Sequence, residues 1–229
     1  MPKNISKYIS SLIFCLTFLT VNAQKKIIES SDTIKTPLYN GFLIQADIAS
    51  VVTSALSNGV TYSYEAGIQV DLKHKYYPVI ELGFAGANKT TSENIGFITN
   101  APFGKIGIDF NILKKKKDSK PTNNLFLMGV RLGMTNFNYK LTNVTITDNY
   151  WGGSEVVLAG TNTTSKMWWE IVAGVRVEVV KNIYMGWNVR IKNLLSQDAV
   201  GVVSPWYIPG FGINTASNWG FNYTIGYHF

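Results

Sequence analysis

The sequence predicts an all-β fold, an eight-stranded antiparallel up-and-down transmembrane β-barrel with short periplasmic turns and long extracellular loops. Three observations predict it. Apolar and polar side chains alternate in eight segments, short and long connections alternate between those segments, and glycines collect on the polar faces.

The composition excludes several other classes of protein. The chain has 229 residues, of which 46% are hydrophobic and only 15% are charged, and this balance is untypical of a disordered chain or a coiled coil. The formal net charge of +7 suggests nucleic acid at first sight. Lys3 and Lys7 lie in a segment that we expect to be cleaved, and five lysines and one aspartate between Lys114 and Lys120 supply +4 of the remaining charge. The rest of the chain is nearly neutral, so we expect no nucleic-acid partner.

The N-terminal residues have the pattern of an export signal. Lys3 and Lys7 precede an apolar run over residues 9–21, and Ala23 ends a short stretch suited to signal-peptidase cleavage. A membrane anchor is the weaker alternative, because the run is too short to span a bilayer comfortably as a helix. We predict three parts: a signal peptide over 1–23, a flexible lead-in over 24–39 and an outer-membrane β-barrel over 40–229.

The cysteine content narrows the chemistry of the exported chain. The only cysteine, Cys15, lies in the apolar run, and Phe14 before it fits a lipoprotein signal poorly. We therefore predict no lipid anchor. After cleavage the chain would have no disulfide, no thiolate nucleophile and no cysteine-ligated metal.

Eight segments alternate with a period of two after residue 40. Successive side chains of a strand point to opposite faces, so each segment is predicted to be a strand with one apolar and one polar face. Between Tyr62 and Leu72, for example, apolar or aromatic residues alternate with polar residues or glycine. The predicted strands cover residues 42–48, 62–72, 80–85, 105–112, 126–135, 169–179, 183–192 and 219–229.

The connections between these segments alternate in length. Short connections follow the second and sixth segments, and the lysine-rich turn follows the fourth. The long connections cover residues 49–61, 88–102, 136–166 and 194–217. Short turns on one rim and long loops on the other are typical of outer-membrane barrels.

Alternation alone does not show which face points inwards. The alternative is a soluble eight-stranded barrel with an apolar interior, as in lipocalin-like carriers. The glycines favour the membrane barrel, because a crowded lumen needs small residues. Aromatic residues near the strand ends resemble interfacial girdles, and the terminal Phe229 resembles the insertion signal of bacterial outer-membrane barrels. We expect export to the outer membrane of a Gram-negative bacterium, with outer-membrane lipid, the barrel-assembly machinery and a candidate envelope protein as partners.

The polar faces predict a charged lumen. The first four segments supply five acids and one base, and the next three supply two acids and four bases. Isolated buried charges are costly, so we expect ion pairs with Glu81 and Asp109 opposite Arg131, Arg176 or Arg190. A charged pathway for solute or protons is the alternative, although side chains can fill an eight-stranded barrel. The predicted lumenal charge network comprises Asp47, Glu65, Asp71, Glu81, Lys105, Asp109, Arg131, Glu170, Arg176, Glu178, Arg190 and Lys192.

Two aromatic clusters fall in the predicted extracellular loops. Exposed aromatic residues stiffened by proline can bind a glycan, lipopolysaccharide or a partner protein. The alternative is that they pack on one another as a roof over the barrel, because long loops need internal packing. The candidate extracellular binding surface comprises Tyr150, Trp151, Trp206, Tyr207 and Phe211.

Catalytic residues are scarce in the sequence. The only two histidines, His74 and His228, fall at the predicted periplasmic end, whereas barrel lipid-A hydrolases and outer-membrane proteases carry their catalytic groups near the outer rim. Two separated histidines without cysteine do not make a metal site. We therefore expect no enzyme, no catalytic residue, no metal and no cofactor. A lipid-modifying barrel enzyme and a narrow channel remain alternatives.

The C-terminal half resembles a known family. The stretches WWEIVAGVRVEVVKNIYMGWNVRIKNLL, WYIPGFG and NWGFNYTIGYHF, with DNYWGG before them, are similar to a family of small outer-membrane barrels of unknown function from Bacteroidota. The resemblance is best over about residues 125–229. It implies the fold, the outer-membrane location and a bacterial source, and it supplies no catalytic residues. The function we expect is that of a plugged barrel, a structural or interaction component of the cell envelope.

Overall fold

The computed structural model describes residues 37–92, 94–113, 123–148, 153–157, 161–195 and 204–229. The predicted signal peptide and the lysine-rich turn lie outside these residues. The elements are β1 (Tyr39–Asp47), α1 (Ile48–Leu56), β2 (Thr61–Leu72), β3 (Tyr76–Thr90), β4 (Gly96–Asn111), β5 (Leu125–Thr142), β6 (Val144–Asp148), β7 (Gly153–Val157), β8 (Thr161–Val180), β9 (Ile183–Leu194), β10 (Tyr207–Ile208), β11 (Gly212–Ile213) and β12 (Ser217–His228).

Eight of these strands close into one antiparallel barrel. Their order around the wall is β1-β12-β9-β8-β5-β4-β3-β2. The barrel closes where β1 pairs with β12, from Leu43 opposite His228 to Asp47 opposite Thr224. The two remaining pairs, β6 with β7 and β10 with β11, are small hairpins within the long connections. The predicted closed eight-stranded up-and-down barrel is confirmed.

The two ends of the barrel differ in their connections. The turn end carries the connections 73–75, 112–124 and 181–182, together with the start of β1 and the end of β12. The loop end carries the connections 48–60, 91–95, 143–160 and 195–216. The predicted long loop over 88–102 is wrong, because β3 and β4 extend through it and leave only residues 91–95 between them. The predicted loop over 136–166 is likewise shortened by β5 and β8.

A helix that the alternation did not predict follows β1. Ile48 was assigned to the first strand and 49–61 to a loop, but α1 occupies Ile48–Leu56. Asp47 is its N-cap, and the Asp47 carboxylate accepts hydrogen bonds from the Ala49 amide at 3.1 Å and from the Ser50 hydroxyl. Aspartate favours this position because its side chain satisfies amides that have no partner within the helix. Of the described residues, no helix has the length and apolarity to cross a bilayer.

The apolar face of the barrel points outwards. Outward side chains in the middle of the strands, such as Ile68, Leu82 and Val130, are 52–65% exposed. Inward charged side chains such as Glu81 and Glu170 are at most 1% exposed. This arrangement is opposite to that of a soluble carrier barrel, whose apolar side chains fill the interior.

We call the outward apolar surface the apolar belt, and two bands of exposed aromatic residues border it. The loop-end band comprises Tyr64, Phe84, Trp169 and Trp219, and the turn-end band comprises Tyr76, Phe110, Tyr227 and Phe229. Along β5 the belt extends from Phe126 to Met134, about 27 Å at ~3.4 Å per residue. A strand tilt of roughly 40° converts this to about 20 Å of height, close to the ~25 Å apolar band of membrane barrels.

Beyond the belt, the loop-end parts of four strands form what we call the upper wall. It comprises residues 85–90 of β3, 96–103 of β4, 135–142 of β5 and 161–168 of β8. Its outward side chains on β5, Asn136, Asn138 and Lys140, are polar and exposed, whereas its inward Phe137 and Tyr139 are buried. The polarity of the two faces is therefore reversed relative to the rest of the barrel.

Candidate functional site

The lumen contains three layers between the turn end and the loop end. A polar pocket lies at the turn end, a group of buried charges lies in the middle, and packed aromatic side chains lie at the loop end. We call the middle group the charge layer. Its members are Glu65, Glu81, Lys105, Asp109, Arg131, Glu170 and Arg190.

Arg190 on β9 joins opposite sides of the barrel. Its guanidinium donates to the Glu81 carboxylate on β3 at 2.8 and 3.1 Å. The same group lies 3.1 Å from Glu65 on β2 and 3.3 Å from Glu170 on the neighbouring β8. The planar fork of an arginine can serve several carboxylates at once, which makes Arg190 the centre of the layer.

Arg131 on β5 forms the second arginine pair. It donates to both carboxylate oxygens of Asp109 on the neighbouring β4 at 2.8 Å, and its Nε lies 3.4 Å from Glu81. The Gln69 side-chain amide donates to the same Asp109 at 2.6 Å. Of the arginines predicted to pair with Glu81 and Asp109, Arg190 thus holds Glu81 and Arg131 holds Asp109.

Lys105 provides the third cation of the layer. Its ammonium lies 2.6 Å from Glu65 and 3.5 Å from Glu170. Glu170 also accepts a hydrogen bond from the Trp168 indole at 2.7 Å. Each of the four carboxylates in the layer therefore has a cation within 2.6 to 3.3 Å, which leaves none of them free to relay a proton on its own.

Glycines on the lumenal face of the strands leave space for the side chains in and beside the charge layer. A Cβ added at Gly129 would overlap the carboxylate of Asp109, and one added at Gly133 would overlap the indole ring of Trp168. Side chains from the neighbouring strands β4 and β8 occupy the space above these two glycines. A small, filled barrel therefore requires glycine at such positions of the polar faces.

The roof at the loop end is formed mainly by residues 205–211. Phe211 is 2% exposed and packs edge-on against Trp168 at 5.9 Å, and Trp206 packs edge-on against Phe97 at 5.8 Å. Tyr207 is 8% exposed, and burial raises the pKa of its hydroxyl to about 12. We call residues 205–211, together with Phe97 and Trp168 against which they pack, the aromatic roof. Tyr207 and Phe211 are thus not an exposed binding surface; Tyr150 and Trp151 lie outside the described residues.

Five of the predicted lumenal charges lie apart from the charge layer. Lys192 donates to the Gly210 and Phe211 carbonyls at 2.8 and 3.3 Å and so ties the roof to the wall. Asp47 caps α1 and accepts from the Asn222 side chain at 2.5 Å. Asp71 pairs with His74 at the turn end.

The other two of these charges, Glu178 and Arg176, line the pocket at the turn end. Glu178 is partly exposed at the turn end and accepts from the Asn182 amide at 2.9 Å. Arg176, predicted opposite Glu81 or Asp109, is wrong as an ion-pair partner: its contact is a 3.5 Å hydrogen bond to Gln45, and no described carboxylate lies within 4.0 Å of it.

Sequence reasoning missed Trp168 as a lumenal residue, whereas it placed Gln69 on the lumenal face. Trp168 is completely buried, whereas its neighbour Trp169 is on the outer face. The sequence contains the sign of this placement: Trp168 and Glu170 are two residues apart in one strand, so their side chains lie on the same face. Gln69 shares its face with Glu65 and Asp71 by the same rule.

The turn-end pocket is a cavity of about 180 Å³ below the charge layer. Its walls include Tyr77, Arg176 and Tyr184, and both histidines lie around it. A second cavity, of about 30 Å³, lies within the charge layer. In the part of the chain that the structure describes, no three His, Cys, Asp or Glu side chains come together as metal ligands.

Comparisons with known proteins give a family and two similar structures. A family model described as "Domain of unknown function (DUF6048)" matches residues 5–229. Neisserial surface protein A has a TM-score of 0.45 and 11% identity, covering 83% of this chain and 99% of its own. The attachment invasion locus protein Ail of Yersinia pestis, solved with the heparin analogue sucrose octasulfate, has a TM-score of 0.39 and 12% identity, covering 82% of this chain and 94% of its own. No curated protein matches, and the Bacteroidota source stays a prediction.

Proposed function

The chain belongs to the DUF6048 family, and because that description names no activity, we propose its function from the lumen. The protein is a closed outer-membrane barrel that serves as a structural or interaction component of the cell envelope. The observation that carries this proposal is the double closure of the lumen, by the charge layer and by the aromatic roof.

The location rests on the apolar belt. Side chains such as Leu82, Met134 and Trp187 are more than half exposed, on a surface that continues around the barrel. A contiguous apolar surface of this extent is unfavourable in water and favourable against lipid chains. Export by the predicted signal peptide of residues 1–23 completes this part of the proposal.

The closed lumen argues against a channel. Arg190 and Glu81 connect opposite walls, and the cavity within the charge layer is about 30 Å³, close to the ~30 Å³ that one water occupies in the liquid. A hydrated ion would have to separate these pairs to pass. A lipid-modifying enzyme is also disfavoured, because the two histidines lie at the turn end, away from the loop end where the outer leaflet would be.

Conductance in planar bilayers tests the closure. We expect no stable channel from the wild type or from a variant in which residues 205–211 become a Gly-Ser linker, because the charge layer still closes the lumen. Combining that linker with Arg190→Ser and Glu81→Ser should produce stable channels. Stable channels from the wild type would contradict the proposal.

Interaction with another envelope component is the finer part of the proposal, and the upper wall supports it. This wall carries polar, exposed side chains such as Asn100 and Asn138 above the belt, on one side of the barrel only. A photo-crosslinking residue at position 138 should capture an envelope protein in intact cells. The matched residue at position 130 of the same strand should capture lipid only, and the same outcome at both positions would contradict the interaction role.

A further inference from the structure

The turn-end pocket contains buried hydrogen-bonding groups that neither the charge layer nor the aromatic roof uses. It has a volume of about 180 Å³, several times the ~30 Å³ that one water occupies in the liquid. Arg176 lines both this pocket and the smaller cavity within the charge layer, where ion pairs such as Arg190 with Glu81 close the lumen. Its polar lining includes Gln69, Tyr77, Arg176 and Tyr184.

Of the three lumenal arginines, Arg176 is the one with no described carboxylate within 4.0 Å. It is 8% exposed, and its only hydrogen bond reaches Gln45 at 3.5 Å. Arg131 and Arg190, by contrast, each hold a carboxylate with two hydrogen bonds of 2.8 to 3.1 Å. A guanidinium buried without a counter-ion is costly, and an oxyanion that meets its fork offsets that cost.

Two further groups in the pocket make no hydrogen bond of 3.5 Å or less among the described residues, although one of them, the Tyr77 hydroxyl, lies near the Asp71 carboxylate. They are the Tyr77 hydroxyl and the Gln69 side-chain oxygen, on residues that are 2% and 1% exposed. Gln69 uses its amide to donate to Asp109, so its oxygen is left as an acceptor. Buried polar atoms are rarely left without a partner, and these two lie on the wall that Arg176 also lines.

The carboxylates around Arg176 are held by other partners. Asp109, whose charge acts on Arg176 from beyond 4.0 Å, accepts from Arg131 and Gln69. Asp71 accepts from the His74 amide at 2.8 Å and pairs with the His74 imidazole at 2.6 Å. Glu178 accepts from Asn182 and from Asn123 at the rim. The positive charge of Arg176 therefore faces the cavity without a carboxylate in contact.

We propose that this pocket binds a small organic anion from the turn-end side. Its carboxylate or phosphate contacts Arg176 and the Tyr77 hydroxyl, and a neighbouring ammonium or hydroxyl donates to the Gln69 oxygen. An amino acid and a phosphorylated alcohol share this chemistry. The site goes beyond the proposed envelope role, and it does not depend on whether the lumen conducts.

The test is a titration of the refolded protein in detergent micelles, followed by NMR of arginine side-chain Nε–H groups. The probes are glycine, inorganic phosphate and methylammonium. We expect saturable binding of glycine or phosphate that shifts the Arg176 signal, and no saturation by methylammonium. Preference for glycine or for phosphate distinguishes the carboxylate source from the phosphate source.

Variants decide whether Arg176 makes the site. Arg176→Gln should weaken binding at least tenfold, because it removes a charge-assisted contact, and Tyr77→Phe should weaken it a few-fold. Lys181→Gln is the matched control, because it removes one positive charge at the same end outside the pocket. If Arg176→Gln does not fold, as judged by its unchanged mobility on heating in SDS gels, Arg176→Lys replaces it and should also weaken binding. Absent saturation in the wild type, or equal weakening by Lys181→Gln, would overturn the proposal.

Discussion

Strand β5 runs through two regions of the molecule whose faces have opposite polarity. Between Phe126 and Met134 its outward side chains are apolar and exposed, and its inward side chains include the charge-layer Arg131. From Asn136 onwards the outward side chains are polar, and the inward Phe137 and Tyr139 are buried. The backbone alternation continues unchanged through both regions.

The difference between the apolar belt and the upper wall is what the proposed membrane location requires, because one strand pattern meets two different surroundings. Next to lipid, the outer face must be apolar and the lumen takes the charges. Next to water, the outer face is polar and the interior takes the aromatic residues, as in a soluble barrel. The change between Met134 and Asn136 marks the proposed edge of the membrane on this strand.

The largest expected effect concerns the interior of the upper wall. Trp168→Ala removes a fully buried indole from the aromatic roof and leaves Glu170 without its 2.7 Å donor. We expect the free energy of unfolding in lipid vesicles to fall by about 3–5 kcal/mol in a urea titration followed by fluorescence. The control is Trp187→Ala in the belt, which should cost half as much or less because that side chain is already 54% exposed. Equal losses would mean that the roof is not a packed core.

The interior of the lower region is tested by Arg190→Met. The substitution leaves Glu65, Glu81 and Glu170 facing one another without their shared arginine. Breaking a buried ion pair from one side costs about 3–5 kcal/mol, and we expect a loss in that range in the same titration. Lys140→Met, an exposed cation on the upper wall, should change stability by about 0.5 kcal/mol or less. A small effect of Arg190→Met would show that water fills the lumen.

The outer faces of the apolar belt and the upper wall are compared by placing an arginine in each of them on β5. Val130→Arg on the belt should cost about 2–4 kcal/mol in bilayers, the range for arginine near the midplane of a membrane barrel. Asn138→Arg, on the same face of the same strand, should cost less than about 1 kcal/mol because it points into water. Similar costs at the two positions would remove the distinction between belt and upper wall.

The smallest effect concerns the side of the loop end that has no upper wall. There α1 follows β1, and Asp47 fixes its start and holds Asn222 on β12. Asp47→Ala should cost about 0.5–2 kcal/mol, the usual range for a lost N-cap. Asp47→Asn, which can still cap the helix, should cost clearly less. If both variants match the wild type, α1 contributes nothing to closing the barrel.

The sequence predicted the inner and outer faces in the lower region because a period of two assigns each residue to a face. Glu81, Lys105, Asp109, Arg131, Glu170 and Arg190 all lie in the lumen as expected. The same reasoning predicts that the fifth strand ends at residue 135, whereas β5 continues to Thr142. Alternation continues in 136–141 with the opposite polarity, and that inversion was the available sign of the upper wall.

The pairing inside the lumen could not be predicted to the same extent. The contact between Arg190 and Glu81 depends on the stagger of strands across a closed barrel, which the alternation of single segments does not contain. Arg176 shares the face of the charge layer but lies nearer the turn end, where no described carboxylate comes within 4.0 Å of it. The alternation of the first strand includes Asp47 and Ile48, and for this reason it did not predict the helix α1. An aspartate before an apolar run is also typical of a helix N-cap, and this was the available sign of the helix.

The most direct measurement of the central claim is a depth scan along the outer face of β5. Single cysteines at positions 128, 130, 132, 134, 136 and 138, in the exported chain that is predicted to lack any other, would carry an environment-sensitive dye in vesicles with spin-labelled lipid. We predict strong quenching by lipid at 128 to 134 and exposure to water at 136 and 138. Water exposure at all six positions would contradict the account, because the apolar belt would then not lie in a membrane.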